Sequence, residues 1–184
     1  MPVNMKNIIA DAFAKMAKKK GIDKITVKAL IDECNISRQT FYYHFRDIME
    51  VIEWSIEESV KRMLARSLEI ESPEDAVELL IVSTLEQRTL ICRLMDSQKR
   101  GQIEKLFVQA TRTYLQELIR NRGGEVALNY SDMETVLDFW SFGLCGMLFK
   151  CCESGEVDAK SVAAQICRLL PEKRGGEIKR SAAL

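Results

Sequence analysis

The stretch from Thr26 to Phe45, TVKALIDECNISRQTFYYHF, constrains this chain most, because two helix starts and a sharp turn fall within it. Thr26 is placed to cap a first helix, its hydroxyl accepting a bond from a backbone N–H that has no partner inside the helix. Ile25 and Leu30 hold the positions of a hydrophobic staple around that cap. Ser37 repeats the arrangement for a second helix, with Ile36 and Phe41 as its staple. Between them lies Cys34-Asn35-Ile36, and asparagine is one of the few residues besides glycine that accepts the left-handed backbone such a turn requires. The segment therefore predicts two short helices at a fixed angle.

Elsewhere the chain has few helix breakers. Its 184 residues include only three prolines, Pro2, Pro73 and Pro171, and no strand-like alternation bounded by turns occurs. The fold class expected is all-α. Ser72-Pro73-Glu74-Asp75 reads as a helix start, with a cap, proline at the first helical position and acids where the dipole favours them. The periodicity predicts helices over about 3–20, across the two short segments above, over 48–70 with an Asp47…Glu50 capping pair, and near 74–87, 89–96, 99–121, 131–153 and 158–169. Gly123-Gly124 and Ser154-Gly155 mark breaks, Pro171 ends the last helix, and the charged, glycine-bearing residues after it read as a disordered tail. The expected organisation is a three-helix head over 1–46, a larger helical body over 47–171 and a tail over 172–184.

On the second helix Phe41 and Phe45 share one face and can pack inward, leaving Arg38, Gln39, Thr40, Tyr42, Tyr43 and His44 for other surfaces. That set suits nucleic acid. Arginine and glutamine can read base edges bidentately, threonine and tyrosine offer hydroxyls and apolar surface to thymine methyls, and a capped helix start favours phosphate. Charge agrees. Residues 1–48 hold nine basic and five acidic side chains, while the remainder holds eighteen and twenty-two. A basic end on a neutral whole fits a head that meets phosphates and a body that does not.

ITVKALIDECNISRQTFYYHF, with Asp47 opening a long helix, resembles the N-terminal signature of TetR-type transcriptional regulators. FWSFGLCGMLFKCCESG, in the last third, resembles the C-terminal region of Firmicutes members, including DhaS-like regulators. The resemblance implies a bacterial three-helix helix-turn-helix DNA-binding head, a helical ligand-binding and dimerisation body, a homodimer and a palindromic operator in double-stranded DNA. By position it puts Thr26, Ser37 and His44 at phosphates, Gln39, Thr40 and Tyr43 nearest the bases and Tyr42 at the backbone. Lys28 and Arg38 complete the expected DNA-facing set. One position departs from the pattern. The family usually carries lysine in the first turn of the fourth helix, where this chain has Ile48, and the phosphate contact that lysine would make is in question.

Catalysis finds no support. His44 is the only histidine, it lies among the expected DNA contacts, and no glycine-rich phosphate loop follows a strand. The six cysteines lack paired metal-ligand spacing, so neither metal nor cofactor is expected. They read as buried reduced thiols, with a thiol switch at Cys151 or Cys152 as the lesser reading. Met1 to Ile22 lacks an apolar core followed by a cleavage site, and Phe139–Phe149, the longest nearly apolar run, is short of the roughly 20 residues that span a bilayer. A cytoplasmic protein is expected, with no membrane partner.

The helix over 131–153 is apolar nearly all round at its centre and should be buried on several sides. Glycine inside a helix costs on the order of 1 kcal/mol relative to alanine, which close approach of another helix at Gly143 and Gly146 would offset. In the family the last two helices form the dimer contact, which puts Phe139, Phe142, Gly143, Gly146, Phe149, Val162, Ile166 and Leu169 at the interface. Trp54, Met63, Cys92, Met95, Phe107, Tyr114 and Trp140 are the candidates to line an effector pocket, because soft and aromatic side chains adapt to small organic ligands. The function expected is a repressor that a small effector removes from DNA. Two alternatives stand: a DhaS-like activator governed by a partner protein, and a helical redox sensor or interaction module.

Overall fold

The computed structural model describes residues 4–121 and 130–169. Gly123-Gly124, Pro171 and the tail fall outside the described residues. Within them the chain is helical without strands: α1 Met5–Lys20, a single 3₁₀ turn Ile22–Lys24, α2 Val27–Cys34, α3 Arg38–His44, α4 Ile48–Leu68, α5 Pro73–Glu86, α6 Arg88–Met95, α7 Arg100–Asn121, α8 Tyr130–Glu153 and α9 Ala159–Leu169.

The local signals act as their chemistry requires. Thr26 Oγ1 accepts the Ala29 N–H at 3.1 Å and Ser37 Oγ the Thr40 N–H at 2.9 Å. Asn35 ends α2 at φ 51°, ψ 47°, the one non-glycine residue with positive φ among those described. Ser72 caps α5 with Pro73 in its first turn. At α4 the pairing is displaced by one residue. Asp47 Oδ1 accepts the Glu50 N–H at 3.0 Å, but the Glu50 carboxylate takes the backbone N–H and Nε of Arg46, the residue before the cap. Those bonds hold the Glu50 carboxyl below its ordinary range.

Leu30, Phe41 and Phe45 are buried and meet Ile9, Phe13, Met16, Val51 and Ile52 in the core of α1–α4. That core does not stop at the head. It continues into Ile91, Leu94, Met95, Ile103 and Cys152, so α6, α7 and α8 share the core of the head, with α6 packed on α1 and α7 on α4. Two polar ties accompany it: Lys18 Nζ donates to Gln87 Oε1 at 3.1 Å, and the Gln98 N–H to Asp23 Oδ2 at 3.2 Å. A second cluster, Ile81, Leu144, Leu148, Ala163 and Ile166, joins α5, α8 and α9.

The expectation that α8 is buried on several sides is corrected. Its inward face, Leu137, Ser141, Leu144, Cys145, Leu148 and Cys152, is buried, but Phe139 and Phe142 stand 69% and 66% exposed, with Gly143, Gly146 and Met147 also open. By length and mean hydropathy, 1.3 over its best stretch, Ser131–Glu153 could cross a membrane, although its apolar run is short. Here it packs on α5, α6 and α7, and its first half carries Glu134 and Asp138 in an ion-pair network with Arg112 of α7.

Candidate nucleic-acid interface and effector cavity

The inward turn of Phe41 and Phe45 decides what α3 presents outside. Tyr43 is 84% and Tyr42 46% exposed, and Arg38 and Gln39 are exposed beside them. The Arg38 guanidinium lies 5.4 Å from the centre of the Tyr42 ring, a cation–π contact, and Tyr43 meets His44 edge to face at 5.0 Å. Thr26, Lys28 and Ser37 are exposed on the same two-helix unit, while Thr40 and His44 are half-buried. The Thr40 hydroxyl is not free-standing, for it shares a 2.7 Å hydrogen bond with Ser37 Oγ. Since the Ser37 and Thr26 oxygens already accept backbone N–H groups, each hydroxyl offers a phosphate mainly its hydrogen.

Ile48, where the family has lysine, is half-buried and packs against the head's core. Two residues earlier Arg46 projects its side chain, 84% exposed. Sequence reasoning passed over it. The signal was a cation in the loop directly after the His44-Phe45 pair.

A cavity of about 460 Å³ lies between α1, α4, α5, α6, α7 and α8. Of the residues expected around it, Trp54, Met63, Phe107 and Tyr114 line it. Cys92, Met95 and Trp140 do not. Met95 is buried in the core shared with the head, Cys92 Sγ points at the Cys152 carbonyl at 3.6 Å, and Trp140 packs into the α5–α8–α9 cluster, edge to face with Phe139. The lining that sequence reasoning missed includes apolar residues such as Phe13, Ile56, Leu94 and Leu148 and a polar set that includes Ser55, Ser59, Arg62, Arg66, Ser83 and Gln87. Tyr114 donates its phenol proton to buried Ser67 Oγ at 2.8 Å, joining α7 to the last turn of α4.

The dimer candidates divide. Phe139, Phe142, Gly143, Gly146 and Leu169 are exposed. Phe149 instead meets Phe107 edge to face at 5.4 Å, while Ile166 is buried and Val162 half-buried in the α5–α8–α9 cluster. Those three pack into the chain's own core.

All three thiols of α8, Cys145, Cys151 and Cys152, are buried, and burial pushes their pKa values up, that of Cys152 to about 11 with Cys92 and Cys151 adding to the effect. Thiols so placed stay protonated near neutral pH and oxidise slowly.

Residues 9–53 match the family model described as "Bacterial regulatory proteins, tetR family". Solved structures of similar shape include the dihydroxyacetone kinase operon activator DhaS, 18% identical over 91% of this chain and 94% of that one, with a TM-score of 0.67. The Listeria innocua protein Lin0861 is 15% identical over 91% and 93%, with a TM-score of 0.65. The fatty acid degradation regulator FadR from Bacillus halodurans is 13% identical over 92% and 95%, with a TM-score of 0.57. At these identities the likenesses concern the fold. No curated protein matches the chain in sequence. Together with the geometry of α2 and α3, the family match makes residues 9–53 a helix-turn-helix head of the tetR type. That match covers the head alone, and the body is similar to these regulators in fold.

Proposed function

We propose that this chain is a homodimeric repressor that binds a palindromic operator through α2 and α3 and releases it when a small effector fills the cavity. The observation that carries the reading is the outer face of α3, where Arg38, Gln39, Tyr42 and Tyr43 stand in solvent opposite the buried Phe41 and Phe45. The division proposed is a head over 1–46 and a regulatory body over 47–171, with α4 as the link. That helix begins at the head and lines the cavity from Ile52 to Arg66. Gln87 also lines the cavity while holding Lys18 at the end of α1. An effector touching α4 or Gln87 thereby acts on elements that carry the head. Two recognition helices must sit about 34–36 Å apart to enter successive major grooves, so a displacement of a few ångströms is enough to disfavour the bound state.

Selection of sites from random duplex at fixed salt in reducing buffer tests the reading. The expected outcome is a palindrome with half-sites one helical turn apart. Absence of any enriched sequence would overturn it. A second reading, an activator governed by a partner protein, is favoured by the likeness to a structure named as an operon activator. Recruitment of a protein partner, with no small molecule stabilising the chain, would select it.

Tyr43→Ala should cost about 1–3 kcal/mol on the best site and relax preference at one or two base pairs per half-site. Thr26→Ala should weaken all sequences alike and lower helix stability by about 1 kcal/mol through loss of the cap. Equal effects of the two on sequence preference, read by competition binding, would reverse the assignment.

Ile48→Lys tests the departure from the family pattern. The lysine stem can cover the apolar surface Ile48 covers while its ammonium reaches outward. One new phosphate contact per subunit should steepen the slope of log affinity against log salt by up to about 1.8 per dimer, at roughly 0.9 per phosphate. The helix dipole opposes a cation there by only about 0.3–1 kcal/mol. An unchanged slope would mean that the start of α4 does not face the backbone.

A further inference from the structure

The cavity has an uneven chemistry. Its inner wall is apolar, with Phe13, Ile56, Leu94 and Leu148 among the buried side chains there, and the polar atoms of that wall are already used. Thr111 Oγ1 bonds Cys145 Sγ at 3.0 Å and the Tyr114 hydroxyl bonds Ser67. A polar ligand body would find few partners there. Along α4 the lining changes. Arg62 and Arg66, four residues apart and hence on one face with an axial offset of about 6 Å, are its only basic residues and stand exposed at its mouth.

Neither arginine forms an ion pair among the described residues. Arg62 Nη2 donates to Ser59 Oγ at 3.3 Å and Arg66 Nη1 to Ser83 Oγ at 3.4 Å, both neutral acceptors at long range. Other arginines of the chain, such as Arg46, Arg100 and Arg112, are paired with carboxylates. The acids at the cavity do not supply the missing partner. Glu58 is bonded to Lys61 at 2.9 Å, and Asp11 and Glu86 are exposed at its edge, outside ion-pair distance of either guanidinium. Two like charges one turn apart without a counter-charge repel each other. A single anion between them would relieve that repulsion and use donors that suit a carboxylate bidentately.

We propose that the effector is an organic acid, an apolar body carrying one carboxylate, with the carboxylate held by Arg62 and Arg66 and the body against the inner wall. This rests on the effector-controlled reading above and names its ligand class. A volume of about 460 Å³ falls within the range of small-molecule sites, about 300–1,000 Å³.

The test titrates the full-length protein with two matched pairs, decanoate against decan-1-ol and 4-phenylbutanoate against 4-phenylbutan-1-ol, read by the fluorescence of Trp54 at the cavity and by thermal shift. At least one acid should bind about tenfold or more tighter than its alcohol, as charge-assisted hydrogen bonds imply. The double variant Arg62→Gln, Arg66→Gln, checked for unchanged helicity by circular dichroism, should lose that preference and leave alcohol binding within about twofold. Decylamine should bind more weakly than decanoate. Alcohols binding as well as acids, amine preferred over acid, failure of both acids to bind, or a preference that survives the double substitution would each overturn the proposal. Site selection on DNA is read separately. A chain that selects a palindrome but takes no acid loses only this inference, whereas one that takes acid but selects no DNA loses the regulator reading.

Discussion

Phe41→Ala should lower the stability of the whole chain by about 3–5 kcal/mol, the range for removing a large aromatic from a packed core. Phe41 is fully buried, with its ring 6.2 Å from that of Phe45 and 5.5 Å from that of Tyr42. α3 has only seven residues, and Phe41 is the residue of it that is buried outright. A helix this short is not stable alone, so it persists because this side chain is anchored. Because the head's core runs into Ile91, Leu94 and Met95 of α6, the loss should appear as a lower midpoint of one cooperative urea transition. Typical domains have only about 5–15 kcal/mol in hand, so operator binding should fall with it. Tyr43→Ala serves as the contrast, since an exposed side chain of the same helix should change stability by less than about 0.5 kcal/mol. A loss below 1 kcal/mol for Phe41→Ala would mean that α3 is held by something other than this anchor.

What could be read from the sequence was local chemistry. Thr26, Ser37, Ser72 and Asp47 cap because a short side-chain oxygen next to an apolar run has one nearby set of free N–H groups to serve, and Asn35 takes the left-handed turn for similarly local reasons. The inward placement of Phe41 and Phe45 follows from helical spacing. The cavity was legible only in part, because spacing does not say which of two apolar clusters a side chain joins. Trp54 and Met63 face the void, whereas Met95 and Trp140, equally soft or aromatic, fill cores on either side of it. Arg62 and Arg66 escaped notice for the opposite reason. On a long helix rich in charge, cations are indistinguishable from a solvated face until the partners they lack can be seen.

α8 marks the limit of a single chain. Its central stretch is apolar nearly all round, yet alone it leaves Phe139, Phe142 and Met147 in solvent, a patch that soluble monomers seldom carry without a use. Arg112, tied to Glu134 and Asp138, fixes the polar side of its first half against α7, so the helix cannot simply roll to hide the phenylalanines.

Gly146→Leu should therefore move two quantities in opposite directions. A Cβ at Gly146 or Gly143 meets no atom of the described residues outside its own helix backbone within 4 Å, so a side chain there starts in open space. Replacing a mid-helix glycine by leucine should even favour α8 by about 0.5–1 kcal/mol through helix propensity. If the open face of α8 meets its symmetry mate across a two-fold axis, each leucine is added twice to a surface shaped around a missing side chain. Overpacking of that kind costs typically 1–3 kcal/mol per site, so the dimer should weaken by about 2–6 kcal/mol while the isolated subunit gains. Sedimentation at low micromolar concentration should show monomers, and binding to a full palindrome should fall towards that of a half-site. A merely damaged fold would instead lose helicity and melt earlier, which circular dichroism on the same sample reveals. A variant that remains dimeric and as stable as its parent would place the subunit contact away from Gly146 and leave Phe139 and Phe142 for another partner.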